Sequence, residues 1–247
     1  MVTRNKPRFT RESSDQFYTH LKLSIQDVIS RHKEKAKRTT QWKMIIYPAL
    51  YILFYILLLT KGSSLFWFNT CYGVMGLLVT LIVFNIVHDA VHHALFDHPP
   101  ANKRAACLLD LLGGNSFVWG KRHVLYHHSF TNVPGWDIDI QQTKLLRFNP
   151  GQEYKKVYRY QHLYMPVLYL FYSLNWILVR DFKDFFSTRS LVKQKTCIPG
   201  REYLKLFIFK TLYLINLVLV PVLVLPHAWY HFLSAFILMH WLTSFLT

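Results

Sequence analysis

The chain has 247 residues, 52% of them hydrophobic and 17% aromatic, with a net charge of +16. A positive mean hydropathy beside so basic a balance is unusual for a soluble domain and common in a membrane chain with charged loops. The charges lie in blocks between long apolar runs rather than along one helical face, which argues against a nucleic-acid binder.

In chain order, residues 1–43 are polar, hold eleven Lys and Arg, and contain no secretory signal. Four segments then approach the roughly 20 apolar residues a membrane span needs: 44–60, 65–87, 206–225 and 228–247. The first two are separated by Lys61-Gly62-Ser63-Ser64 and the last two by Pro226-His227. The stretch from His93 to Gln161 carries nine Lys and Arg, so the positive-inside rule puts it in the cytoplasm together with the N-terminus. Residues 180–205 are also basic, and keeping them on the same side makes 162–179 an interfacial or half-buried helix rather than a span. The expected fold is therefore all-α and multi-pass, with about four transmembrane helices and further interfacial helices. It divides into a basic cytoplasmic segment, 1–43, and a membrane domain, 44–247. Cys71, Cys107 and Cys197 are odd in number and far apart, which fits neither a disulfide framework nor a thiolate metal site.

The histidines carry the chemistry. His88, His92 and His93 form H-D-A-V-H-H just after the second apolar run, and His123, His127 and His128 form H-V-L-Y-H-H about thirty residues later. Each group holds an i,i+4 pair, which an α-helix places on one face. Both groups fall on the expected cytoplasmic side, so they can meet. Five or six imidazoles exceed the needs of one tetrahedral zinc and point to a two-metal site. No glutamate occurs between Glu34 and Glu153, which excludes a carboxylate-bridged site of the Glu and Glu-x-x-His kind. An all-imidazole di-iron centre for O2 activation remains. Asp89 either accepts a hydrogen bond from the Nδ1–H of a ligand ring and fixes its tautomer or is an ordinary helix-end carboxylate, and Thr131 and Asn132 follow the second cluster as orienting partners or as the start of a turn. Asp137 and Asp139 either orient ligands or pair with Arg and Lys. Trp119 lines a channel or packs at the interface. Basic residues within 103–159 suit an anionic head group or anionic lipid. His98, His162, His227, His231 and His240 stand alone and read as structural; His20 and His32 read as solvated.

Around these clusters the sequence resembles the membrane fatty-acid desaturases, in particular the branch of linoleoyl-CoA (front-end, delta-6-type) enzymes. The resemblance lies in His88-Asp89-Ala90-Val91-His92, in His123-Val124-Leu125-Tyr126-His127-His128 with the trailing Ser129 to Gly135, in Trp136-Asp137-Ile138-Asp139-Ile140, and in Arg159-Tyr160-Gln161-His162. It implies a di-iron centre held by His88, His92, His123, His127 and His128, with Asp89 and Asn132 behind them. His93 is left out, because the family often has a small residue there. It also implies a fatty acyl chain, carried as acyl-CoA or acyl-lipid, that receives a cis double bond in a lipid bilayer. The family's third box, Q-x-x-H-H, does not occur before Thr247, and the expectation is an N-terminal fragment with an incomplete iron site. There is no His-Pro-Gly-Gly motif, so no fused cytochrome b5 is expected, and electrons would come from a separate cytochrome b5 or ferredoxin. A hydroxylase or ketolase of the same superfamily, a histidine-rich metal transporter and a non-catalytic membrane fragment are the alternatives.

Overall fold

The structure is a computed structural model, and it describes residues 7–8, 16–141 and 143–247, with no strand among them. Helix α1 runs from Gln16 to Lys61 without a break at residue 43, so residues 16–43 of the basic segment and the first apolar run share one rod. The turn after it needs a glycine: a Cβ on Gly62 would stand 2.1 Å from the Leu58 carbonyl oxygen that accepts the Gly62 N–H. Helix α2, Leu65–Val91, buries Phe68, Tyr72, Met75, Val79, Ile82 and Ile86, a stripe of alternating three- and four-residue steps. That stripe makes α2 the central helix, with α1 on one side and the last helix, α8, on the other.

Between α2 and α8 lie a short helix α3 (Pro99–Ala106), the helix α4 over residues 116–128, two arms α5 (Lys156–Leu170) and α6 (Tyr172–Lys195), and α7 (Gly200–Val224). Helix α8 is Trp229–Phe245. Helices α2 and α8 touch backbone to backbone at Gly76. The Thr243 hydroxyl donates to the Gly76 carbonyl at 2.9 Å, and the Thr80 hydroxyl to the Thr243 carbonyl at 3.3 Å. Small residues permit this approach where hydrophobic burial gives helices no reason to associate.

One end of the bundle is tied by buried ion pairs. Arg122 of α4 donates to Asp184 of α6 at 2.7 Å, Lys210 of α7 to Asp181 of α6 at 2.6 Å, and Lys205 of α7 to Asp110 at 2.6 Å. Removing one partner of such a pair strands a buried charge, at a cost of roughly 3–5 kcal/mol.

The membrane plan is partly redrawn. The first three expected runs form helices long and apolar enough to cross a membrane: Glu34–Lys61, Leu65–Val91 and Gly200–Val224. The fourth run is helical over Trp229–Phe245, 17 residues. The region expected as a single interfacial helix, 162–179, is instead two arms bent by 65° around Phe171. Taken as one broken span, the pair brings the total to four. The bend has a cause: the Ser173 N–H and hydroxyl are bonded to Ser244 and His240 of α8, which fixes the start of the second arm.

A Cβ on Gly76 would meet the Met239 carbonyl oxygen at 2.3 Å, whereas one on Gly73 meets only the flexible Leu242 side chain at 3.3 Å. Gly76→Ala is therefore expected to destabilise the bundle by about 1–3 kcal/mol and Gly73→Ala to be near neutral, read as thermal midpoints in detergent.

Candidate metal centre

The first histidine group sits where α2 changes its winding. Residues Val83–Val87 take wide i→i+5 turns before a last regular turn, His88–Val91. Lys43 of α1 donates to the Asn85 side chain at 2.8 Å, bracing this stretch. His88 and His92 remain one regular turn apart, with ring centroids at 4.7 Å. The helix ends there, because His93 adopts a left-handed φ of 58° in an exposed reversal.

The second group follows a different geometry from the one expected. Asn115 caps α4 by accepting the Val118 N–H at 3.0 Å, and from Lys121 to His128 the helix winds entirely in i→i+5 turns. Residues five apart then lie one above the other. The facing pair is His123 and His128, with Nε2 atoms 3.1 Å apart, while His123 and His127 are 6.2 Å apart between centroids. The anticipated i,i+4 face at His123 and His127 is corrected by this winding. Such wide turns recur at functional sites in helices.

The two groups converge. His88 lies 4.9 Å and His92 5.1 Å from His123, and His92 lies 4.8 Å from His128, all between ring centroids. One ring nitrogen from each of His88, His92, His123 and His128 falls within 4.8 Å of the other three. Trp119, a turn before His123, stacks on its ring at 4.8 Å with the planes 7° apart.

His127 turns to a carboxylate. Its Nδ1 lies 3.1 Å from Asp137, which is fully buried and also accepts the backbone N–H groups of Asn132 and Asp139 at 2.7 and 2.9 Å. Asn132 meets Asp137 through its backbone N–H, at a left-handed φ of 61°. Asp89 reaches the His88 Nδ1 at 3.3 Å. A carboxylate on Nδ1 holds the proton there and leaves Nε2 as a free lone pair, the arrangement metal-bound histidines use.

The donor set fits a transition metal. Burial, and after it the crowding by His128, His88, His92 and His127, pushes the His123 pKa down to about 3. Burial and the neighbouring rings lower His92 as well. Both rings are therefore neutral near neutral pH, the form in which imidazole can donate a lone pair to a metal. The His92 Nε2 is buried and has no hydrogen-bond partner, a cost a metal would remove. A metal–imidazole bond of roughly 2.0–2.1 Å puts adjacent ligand nitrogens about 3 Å apart, the separation found between His123 and His128.

Beneath the rings is a cavity of about 250 Å³. His88, His123 and Trp119 form part of its wall, with Arg122 and Asp139 beside them, and Val79, Leu112 and Met239 lie among its apolar lining. His240, expected to be merely structural, also lines it, bonded through Nδ1 to Ser173 at 3.0 Å and through Nε2 to the Tyr213 hydroxyl at 2.9 Å. Neither role of His240 had a signal in the sequence, since its partners are 67 and 27 residues away.

The depressed His123 pKa sets a pH dependence. Between the unfolded value of 6.5 and about 3, the unfolded chain binds a proton that the folded chain refuses, so stability falls as pH drops below about 6.5. Metal-free protein in detergent is expected to lose thermal midpoint from pH 7.5 to pH 5, with a shallower slope in His123→Gln. Equal slopes would refute the assignment.

The fatty acid desaturase family model matches residues 65–247. An sn-1 linoleoyl-lipid 6-desaturase of Synechocystis sp. is 36% identical over 105 residues, covering 42% of this chain and 29% of the relative. Acyl-lipid (8-3)-desaturase B of Dictyostelium discoideum is 26% identical over 239 residues, 94% of this chain and 50% of the relative. An acyl-lipid (8-3)-desaturase of Physcomitrium patens is 31% identical over 179 residues, 70% of this chain and 37% of the relative. The chain spans half or less of the length of these relatives. No solved structure matches it. By the family match over residues 65–247, the chain belongs to the fatty acid desaturases.

Proposed function

We propose that this chain carries the iron-binding and acyl-binding part of an O2-dependent acyl desaturase, an oxidoreductase that introduces a cis double bond. The observation that supports it best is the meeting of four ring nitrogens, from two separate helix ends, against the wall of a largely apolar cavity. In this reading His88, His92, His123, His127 and His128 hold two irons. When bound, the iron pair supplies the oxidising power that, with O2 and two electrons from a separate donor of the cytochrome b5 or ferredoxin type, removes two hydrogens from adjacent acyl carbons.

The chain's own residues do the rest. Asp137 and Asp89 accept hydrogen bonds from the Nδ1 of His127 and His88, which orients each ring with its Nε2 turned away from the carboxylate. Trp119 stacks flat on His123 and restrains its ring. The apolar lining of the cavity keeps water from an acyl chain lying beneath the rings, which limits loss of oxidising equivalents. Arg122, buried and held by Asp184, lines the cavity beside the histidines, and in this reading the carbonyl end of the acyl chain lies toward it. The substrate is a fatty acyl chain on CoA or on a lipid. The protein sits in a bilayer with the basic N-terminus and both histidine groups in the cytoplasm. Five imidazoles do not complete two iron coordination spheres, so further ligands lie outside the set named here.

Protein purified from iron-replete cells is expected to retain iron at these histidines, and an enzyme that also carries the remaining ligands is expected to convert an acyl substrate to a product two mass units lighter. His92→Ala or His128→Ala is expected to lose most of that iron. Asp137→Asn is expected to weaken iron binding roughly 10–100-fold while the protein stays folded. Zinc at one ion per chain, or a product sixteen mass units heavier, would overturn the reading.

A further inference from the structure

The cavity beneath the histidines has a neighbour. A second cavity of about 310 Å³ lies between α1 and α7, lined by Tyr51, Ile52, Tyr55, Leu111 and Leu217 among others, and no charged side chain contributes to it. Ile52 and Leu111 are more than half exposed, so this groove opens at the outer surface of the bundle. Among the described residues only Leu112 and Tyr213 line both cavities, and both are buried, at 8% and 2% exposure. They form the wall between the two spaces.

Tyr213 is held in that wall from two sides. Its hydroxyl bonds to the His240 Nε2 at 2.9 Å, and His240 is itself fixed by Ser173 at the bend of the α5–α6 pair. Its ring lies against Gly113, where a Cβ would come within 2.9 Å of it and where φ is +86°, a conformation glycine alone adopts freely. The metal-adjacent cavity falls just below, and the groove at, the lower end of the roughly 300–1,000 Å³ that ligand pockets span. A chain that reached both would have markedly more room.

We propose that Tyr213, positioned by His240 and assisted by Leu112, is a specificity-determining partition that sets how long an acyl chain the metal-adjacent cavity accepts. With the partition in place the methyl end of the chain stops at the Tyr213 ring. With it removed, the methyl end continues into the apolar groove between α1 and α7. The proposal rests on the reading of the first cavity as the acyl site. The direction of the chain follows from the linings: Arg122, His88 and His123 line the first cavity, whereas no charged residue among those described lines the groove.

The test is binding, independent of turnover. Purified iron-loaded protein in lipid nanodiscs is titrated with cis-unsaturated fatty acids of sixteen to twenty-two carbons, each displacing a fluorescent polyene fatty acid. In the wild-type protein, affinity is expected to level off with chain length. In Tyr213→Ala it is expected to keep rising, by roughly fourfold per additional buried methylene. Leu112→Ala opens the same wall from the other side and is expected to shift the plateau in the same direction, so the outcome does not hang on one variant folding. Variants that lose affinity equally for every length, or that plateau where the wild type does, would overturn the partition. Wild-type protein that binds none of the probes would instead remove the acyl reading of the cavity, and the partition with it.

Discussion

Four imidazole rings that each bring a nitrogen within 4.8 Å of the other three form an arrangement a chain adopts only when the rest of the fold holds it. Burial and the neighbouring rings disfavour a proton on His123 and His92. The rest of the molecule supplies the hold. Helix α2 delivers His88 and His92 from a rod anchored along its length by Gly76, Thr80 and Thr243 against α8. Helix α4 delivers His123 and His128, and is pinned behind by Arg122 on Asp184.

The buried ion pairs belong to the same economy of position. Arg122, Lys205 and Lys210 each reach a carboxylate on a different segment, and all three pairs join α4, α6 or α7 near the histidine end. Buried pairs contribute little net stability over well-packed apolar groups, but losing one partner strands a charge, so each pair holds its two segments together. Where two short helical ends must hold their registers while carrying desolvated rings, such ties are useful. Asp137 works at smaller scale: three donors converge on one buried carboxylate, so the loop carrying it and the ring of His127 are fixed together.

The polar interior of the cavity extends this logic into the apolar half of the bundle. Ser173, His240, Tyr213 and Ser244 satisfy one another across three helices, with the bend at Phe171 as a consequence. One network therefore fixes both the path of the α5–α6 pair and the ring that separates two cavities. A substitution anywhere in it is felt by the shape of the space beneath the histidines.

The sequence by itself determined the helical class, the apolar runs, the placement of charge and the two histidine groups, because hydropathy over twenty residues and local spacing are properties a linear chain states directly. It also flagged Asp137 and Trp119 as neighbours of the chemistry, though not what each touches. Only the tertiary structure decided that His128 rather than His127 faces His123, since the choice between i→i+4 and i→i+5 winding depends on what the helix packs against. The bend at Phe171 and the partition at Tyr213 were equally hidden. Both are set by hydrogen bonds from His240 to residues 67 and 27 positions away, and no local pattern encodes a partner that only folding brings near.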